Sequence, residues 1–388
     1  MAVLAVAAVS ARMLAEAAAL DGYDVVALDL FGDVDTRRAA QHWHPIGAAG
    51  SLRIDEARVL DALGPLGKRA REAGGAVIGW IPGSGFEGQP ALLDAAARLL
   101  PLIGTPADAV RRVRDPAVFF AALAAHGIAH PPVRFDAPSD AEGWLLKDAG
   151  GCGGWHVRHA AAARDAAIAA DAAKASLYFQ REMHGTPMSA TFIADGREAV
   201  LVGINELIVQ AVGSRPHVYA GCVGPVDVAA HLAQRIADAV RSLTAEFALR
   251  GWCSLDFMRD GDAIGVLEVN PRPPASLALY ARPGLIDAQL RACLHGELPA
   301  PAAFAGPGSR RVTGNEIVYA RRALTLSPLG AQHLAGRSDV HDLPPAGACF
   351  GAGDPICSVS AAGDSAGQVR DSLRAARDAL MHTLETSS

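Results

Sequence analysis

The sequence predicts an α/β protein of two or three domains that opens on a parallel sheet. Three observations point there: apolar strands and helices alternate from the first residues, the pattern changes at Thr105, and 388 residues exceed one ordinary core. Residues 2–9 (AVLAVAAV) read as a buried strand, 11–20 as a helix and 23–30 (YDVVALDL) as a second strand, which makes a βαβ unit. A helix over 55–73 and a strand at 76–82 (AVIGWIP) continue the alternation. PGSGFEG (82–88) then falls at the carboxyl end of a strand, where open parallel sheets place ligands. On local sequence alone a plain glycine-rich turn is the better account of it.

From Thr105 two helices follow, 105–114 and 115–127, with Asp115 as N-cap, Pro116 in the first turn and Gly127 as the stop. Next come HPPVRF, the stretch WLLKDAGGCGGWHV (144–157), a helix-like alanine-rich run at 160–174 and a strand at 176–183 (SLYFQREM). Strands SATFIAD (189–195) and EAVLVGINEL (198–207) flank a turn at Asp195-Gly196, and 205–221 reads as a loop. Residues 227–249 form one amphipathic helix, and WCSLDFMRDGDAIGVLEVN (252–270) reads as a hairpin turning at Asp260-Gly261-Asp262. Beyond 300 the chain is first Pro/Gly-rich, then carries short strands (NEIVYARRAL, PICSVSA) and a closing helix over 366–384.

Composition excludes several classes of function. The 51% hydrophobic content is inflated by alanine, aromatics are 5%, and no segment approaches a membrane span. Six cysteines lie scattered without metal or disulfide spacing, which indicates neither zinc nor a disulfide framework and suggests a reducing, cytoplasmic setting. A net charge of -6 without a Lys/Arg block argues against nonspecific nucleic-acid binding.

Three features carry chemistry. In the 252–270 hairpin Asp256 lies on the incoming strand, while Glu268 and Asn270 project from one face of the outgoing strand with Arg272 beyond them. Oxygen ligands without sulfur or imidazole suit a hard cation such as Mg²⁺ with substrate phosphates, and a guanidinium can hold a phosphoryl group bidentately. A polar row on a strand as apolar as Val266, Leu267 and Val269 needs partners to offset its desolvation. Lysine is the second signal: only three of 35 basic residues are lysine, at 68, 147 and 174, so Lys147 at the end of an apolar strand calls for a reason. The third is the glycine loop after it, Gly150, Gly151, Gly153 and Gly154, whose unblocked N–H groups allow close approach of a phosphate. Arg215, His217 and Tyr219 in the 205–221 stretch are candidate substrate contacts, with a solvated loop equally good as an account. His156 beside the glycine loop reads as a surface or packing histidine rather than a base.

The order of these features, lysine strand and glycine loop, then FQREM, then Asp256 with E-x-N-P-R at 268–272, resembles the ATP-grasp superfamily of ligases and carboxylases from Thr105 to about Gly296. The resemblance implies an ATP-grasp fold in three parts. These are a Rossmann-like pre-ATP-grasp domain over 1–104, an ATP-grasp domain over 105–300 (lid half about 130–182, large half about 183–300) and a small β-rich α+β domain over 301–388. It further implies that Lys147 and the loop glycines cover the ATP phosphates and that Gln180, Arg181, Glu182 and Met183 hold adenine through backbone groups. Asp256, Glu268 and Asn270 would hold Mg²⁺ or Mn²⁺, and Arg272 would contact the transferred phosphate. Many relatives carry a second ATP lysine in an S/G-D-K triplet. Here Arg114-Asp115-Pro116 stands in that place, which leaves Arg112 or Arg114 to replace the charge.

Within the superfamily the opening SARMLAEAA, GYDVVALDLFGDVDTRR, NPRPPAS and DLPPAGACFGAGDPICSVSA resemble predicted ATP-dependent carboligases associated with methylofuran and tetrahydromethanopterin cofactors. The implied activity is a carboxylate–amine ligase working through an acylphosphate, with small-molecule partners such as glutamate and an aromatic amine. A bicarbonate-activating carboxylase and a noncatalytic nucleotide-binding regulator are the alternatives. Relatives often form homodimers, although no sequence pattern here marks an interface.

Overall fold

The computed structural model describes residues 2–47, 52–72, 77–163, 177–300, 303–304 and 311–386. The amino-terminal part runs β1 (Val3–Ala7), α1 (Arg12–Leu20), β2 (Asp24–Asp29), α2 (Val34–Ala39), β3 (His42–Pro45), α3 (Glu56–Glu72), β4 (Val77–Pro82) and α4 (Pro90–Ala97). Its strands form a four-stranded sheet in the order β3-β2-β1-β4, all parallel. This is the parallel sheet expected from the βαβ pattern. The short α2 and β3 and the helix α4 were not anticipated, because four to eight residues give too few periods to register.

Helices α5 (Ala107–Arg114) and α6 (Pro116–Ala125) follow. Asp115 separates them as predicted: its carboxylate accepts from the amides of Ala117 (2.9 Å) and Val118 (3.2 Å), and Pro116 occupies the first turn. A small antiparallel sheet comprises β5 (Val133–Arg134), β6 (Trp144–Asp148), β7 (Arg158–His159) and β8 (Leu177–Arg181), in the order β5-β8-β6-β7. The expected helix over 160–174 falls mostly outside the described residues, of which 160–163 form a single 3₁₀ turn.

The large sheet has eight strands. They are β9 (Thr186–Asp195), β10 (Ala199–Val212), β11 (Arg215–Gly224), β12 (Arg250–Asp260), β13 (Ala263–Asn270), β14 (Val312–Tyr319), β16 (Val340–His341) and β18 (Pro355–Gly363), ordered β13-β12-β9-β10-β11-β14-β18-β16. Between these strands lie α7 (Ala230–Phe247), α8 (Leu285–His295), α9 (Pro328–Ala335), the little ribbon of β15 (Leu324–Thr325) with β17 (Cys349–Phe350), and α10 (Ala366–Thr386). The 205–221 stretch is therefore not a loop, and that expectation is corrected. It is the long hairpin β10–β11, turning at Gly213-Ser214, with Val218, Ala220 and Cys222 buried. Its alternation was obscured by polar residues at 205, 206, 210, 215 and 217, of which Asn205 is buried against Thr191 while Arg215 and His217 bond the Trp155 carbonyl and Glu182.

Two cores position the site. Phe119, Leu243 and Phe247 of α6 and α7 pack with Phe192, Leu255 and Phe257 on one face of the large sheet. On the other face Ile193 and Trp252 join Leu285 and Ile286 of α8 and Leu4, Val6 and Leu14 of the amino-terminal part in one cluster. Asp21 reinforces that junction by accepting from the amides of Gly284 (2.6 Å), Ile286 (2.7 Å) and Asp287 (3.1 Å) at the start of α8. The carboxyl-terminal segment has its own apolar cluster under α10, yet its strands β14, β18 and β16 extend the large sheet instead of forming a separate one. No described helix is long and apolar enough to cross a membrane.

The seam between β11 and β14 depends on Gly221, which has φ +154 and whose added Cβ would lie 2.1 Å from the Asn315 carbonyl oxygen. Gly221→Ala should therefore destabilise the protein by about 1–3 kcal/mol and open the 311–386 segment to protease first. Gly213→Ala, strained at φ +57 but meeting no atom within 4 Å, is the control. Equal melting temperatures and digestion patterns for the Gly221 variant and the parent would refute this account of the seam.

Candidate active site

The hairpin β12–β13 supplies the centre. Asp256 faces Glu268 and Ser254 faces Asn270 in the ladder, with a bulge directly after Asp256. Asp256 accepts from Ser189 (2.8 Å) and Ser254 (3.3 Å) on one oxygen and from the Asn270 amide (2.9 Å) on the other. The Asn270 oxygen in turn accepts from Arg272 (3.1 Å). The structure thus brings Asp256, Glu268, Asn270 and Arg272 into one cluster.

Arg114, at the end of α5, reaches into this cluster. Its guanidinium donates to Glu268 (2.9 Å), to the Ala149 carbonyl (2.6 and 3.1 Å) and to the Gly151 carbonyl (2.9 Å). Arg112, two residues earlier, points away and pairs with Glu246 at the surface. Of the two arginines considered as stand-ins for a lysine, Arg114 is the one placed among these groups. The helix sets this: positions two apart on α5 lie on different faces.

Glu87 was missed by sequence reasoning, because PGSGFEG was read as a plain turn. It is almost fully buried, accepts from Arg272 Nε (2.5 Å) and, on its other oxygen, from its own loop at the Gly85 amide (2.6 Å). Gly88 beside it packs so close to Gly150 that a Cβ there would stand 2.3 Å from the Gly150 carbonyl oxygen. A glutamate in a glycine-rich loop at the end of a parallel strand was the available signal; its partner lies 185 residues away.

Electrostatics follow from this packing. Burial would raise the Glu268 carboxyl, but Arg114 and Lys147 outweigh it and hold the group below the usual carboxylate range. Asp256 is pushed up by burial and by the Glu268 charge opposite. Against its burial, Arg272 and Arg114 keep Glu87 ionised. Two facing carboxylates at different tensions, with an amide beside them, form an oxygen-only donor set that fits a divalent hard cation. Among the described residues no three carboxylate, imidazole or thiol groups converge on a metal position, so the third protein donor would be the Asn270 amide.

Lys147 is buried on β6 and donates to the Gln180 side chain (3.1 Å). Among the described residues the other end of that amide, Gln180 Nε2, has no partner, and neither has His156 Nδ1. Buried unpaired polar atoms of this kind are uncommon, and a ligand in the cleft is one way to satisfy them. His156 is not a surface residue. Burial pushes its imidazole down to about 4, so the ring is neutral at pH 7, and it lies where a Gly151 Cβ would have to be. In the strand connection, the amides of Arg181 and Glu182 are already spent on the Pro132 (2.8 Å) and Gly143 (2.9 Å) carbonyls, while the Met183 thioether packs against Gly265.

Arg215, His217 and Tyr219 alternate along β11, under the glycine loop. Arg215 donates to the Trp155 carbonyl (2.8 Å) and stacks on the indole, His217 bonds Glu182 (2.9 Å), and the Tyr219 amide donates to Gly153 (3.0 Å). Trp155 also meets Tyr319 edge to face. These residues hold the loop shut. The cleft lined by Arg114, Ala149, Tyr178 and Glu268 has only about 20 Å³ of free volume, far below what a nucleotide occupies.

The loop glycines are not equivalent. A Cβ at Gly154, where φ is +75, would lie 1.8 Å from the His217 carbonyl oxygen, whereas one at Gly150 would meet nothing closer than Asp148 at 3.4 Å. Gly154→Ala should unseat the loop at about 1–3 kcal/mol and speed hydrogen exchange at the Tyr219 amide roughly tenfold or more. Gly150→Ala should leave that amide protected. The same protection in both variants would show that Gly154 does not seat the loop.

The fold is shared with known proteins. A family model described as "ATP-grasp domain" matches residues 114–276, the span from Arg114 to just beyond Arg272. Among solved structures, an L-amino acid ligase from Bacillus licheniformis superposes with a TM-score of 0.71 at 14% identity, covering 97% of this chain and 97% of that one. A biotin carboxylase from Campylobacter jejuni gives 0.70 at 14% identity, covering 98% and 95%. A carboxyaminoimidazole ribonucleotide synthase from Aspergillus clavatus, complexed with ATP, gives 0.68 at 14% identity, covering 98% of each. No curated protein sequence matches.

Proposed function

We propose that this chain, which has the ATP-grasp fold over nearly its whole length, is an ATP-dependent carboxylate–amine ligase that forms an amide bond. The observation that carries this is the buried cluster of Asp256, Glu268, Asn270 and Arg272 beneath a closed glycine loop, with Arg114 joining the two. Likeness to an L-amino acid ligase over 97% of both chains supports it.

In this proposal Asp256, Glu268 and Asn270 would hold Mg²⁺ or Mn²⁺, which when bound neutralises phosphate charge. Lys147, Arg114 and Arg272 lie around the phosphates and stabilise the charge that develops on the transferring group. A substrate carboxylate oxygen attacks the γ-phosphorus, the bond from that phosphorus to ADP breaks, and an acylphosphate results. The amine lone pair then attacks the acyl carbon, the carbon–oxygen bond to phosphate breaks, and the nitrogen loses a proton. Water would hydrolyse the intermediate, so closure by Trp155, Arg215 and Tyr219 protects it. Glutamate with an aromatic amine is the first pair to test, given the resemblance to carboligases of one-carbon cofactors.

A carboxylase that activates bicarbonate is the second reading, favoured by the comparable likeness to biotin carboxylase. ADP release that needs an amine, with ¹⁸O passing from the labelled carboxylate into phosphate, supports the ligase. Release that needs only bicarbonate supports the carboxylase, and ATP binding without any ADP release supports a noncatalytic regulator.

Asp256 separates function from stability. Burial and the Glu268 charge disfavour its ionised form while the bonds from Ser189, Ser254 and Asn270 favour it, so Asp256→Asn should leave the melting temperature at pH 7 within a few degrees of the parent's. It should nevertheless lower ADP release about a hundredfold or more. Parental turnover in this variant would remove Asp256 from the proposed metal set. Lys147→Arg should weaken ATP use about tenfold despite keeping the charge, since the buried amine seat beside Gln180 does not admit a planar fork. Unchanged ATP kinetics would refute that seat.

A further inference from the structure

Asp256, Ser189 and Asn205 lie side by side across β12, β9 and β10, because Ser189 faces Asp256 in one ladder and Asn205 in the other. Ser254, Thr191 and Gly203 form the next row on that face. Two residues further along β12 and β9 the same face is apolar, with Trp252 opposite Ile193 in the second core. An apolar continuation was thus open to the sequence, and a fully buried asparagine in its place calls for a reason.

Asn205 is fully bonded. Its Nδ2 donates to the Ser189 carbonyl (3.3 Å) and to Thr191 Oγ1 (3.0 Å), and its Oδ1 accepts from the Tyr280 hydroxyl (2.6 Å). A carbonyl can only accept, so the Ser189 contact fixes which end of the amide is nitrogen. Thr191 shares a further bond with Ser276 (2.8 Å). Ser276 and Tyr280 belong to the 3₁₀ turn Ala275–Tyr280, which only Pro273 and Pro274 separate from Arg272. Two glycines make room for this network: a Cβ at Gly224 would stand 2.1 Å from Asn205 Oδ1, and one at Gly203 would stand 2.1 Å from the Tyr280 hydroxyl oxygen.

The row ends on Asp256. Ser189 donates its hydroxyl to Asp256 Oδ1 (2.8 Å), while Asn205 grips the same serine by its carbonyl and grips Thr191 two residues on. The stretch of β9 that faces Ser254 and Asp256 is therefore held from behind. A carboxylate that holds a cation has to keep its free lone pairs on one point, and the groups bonded behind it set that aim. We propose that Asn205 is a positioning residue for the metal site: acting through Ser189, and fixed in turn by Tyr280, it sets the direction in which Asp256 offers its oxygens to a divalent cation. This rests on the proposed metal set. It carries that set back from Asp256 through β9 and β10 to the turn after Arg272, so that one network holds both the cation-binding carboxylate and the arginine proposed to contact phosphate.

The test is calorimetry of a nonhydrolysable ATP analogue on the full chain, with and without Mg²⁺. Asn205→Ser should cut the gain in affinity that Mg²⁺ gives by about tenfold, with metal-free binding within about twofold of the parent's. Tyr280→Phe deletes one hydroxyl and leaves the ring in place, so it reads the same network if Asn205→Ser does not fold, and it should cut the gain about threefold. Ser189→Ala should match the loss in Asn205→Ser, and the double variant should lose less than the product of the two, since both act along one path. Thr313→Val is the control for a purely structural effect. It removes a hydroxyl bonded to the Gly224 (3.2 Å) and Leu279 (3.5 Å) carbonyls, beside the network but outside it, and should keep the parental gain even where it melts lower.

A parental Mg²⁺ gain in Asn205→Ser or Tyr280→Phe, the same loss in Thr313→Val, or losses that multiply in the double variant would overturn the positioning role. No Mg²⁺ gain in the parent would instead overturn the metal set on which that role rests.

Discussion

One buried guanidinium ties the site together. Arg114 connects a helix end, two carbonyls of the glycine loop and the Glu268 carboxylate, so the loop cannot lift without exposing or re-pairing a buried charge. Arg272 makes the matching connection on the other side, from Asn270 to Glu87 of the amino-terminal part. Two arginines thereby couple three stretches of chain to a single pair of carboxylates. In the proposed reaction a nucleotide would take over these contacts: its phosphates replace Glu87 and the loop carbonyls as partners of the two guanidiniums, and a divalent cation replaces Arg114 on Glu268.

This arrangement explains why the loop is rich in glycine without appealing to phosphate alone. Gly151 gives way to the His156 ring, Gly154 to the β11 backbone, and Gly88 to Gly150. Each glycine marks a place where two backbones, or a backbone and a ring, approach more closely than a Cβ allows. The closed loop is then latched by Arg215 and Trp155, at a cost in opening that a bound nucleotide would offset.

Much of this was legible in the sequence where the information is local. The hairpin turn at Gly261, the Asp115 cap and the facing of Asp256 with Glu268 and Asn270 follow from strand alternation and turn chemistry over a few residues. What was not legible depends on partners far along the chain. Glu87 looks like a turn residue until Arg272 is beside it, and Asp35 looks like an ordinary helix-start acid until the amides of Asp342 and Leu343 dock on it 307 and 308 residues later. The 205–221 part of the β10–β11 hairpin was read as a loop because polar residues fall on both of its faces, Asn205 against Tyr280 in the core and Arg215 and His217 against Trp155 and Glu182. An alternation broken on both faces resembles no alternation at all.

The proposed nucleotide site can be tested before any substrate is known. Calorimetry of a nonhydrolysable ATP analogue, with and without Mg²⁺, should show tighter binding with the metal in the parent and no such gain in Asp256→Asn. An equal Mg²⁺ effect in both proteins, or no binding to either, would contradict the assignment of the Asp256 and Glu268 pair.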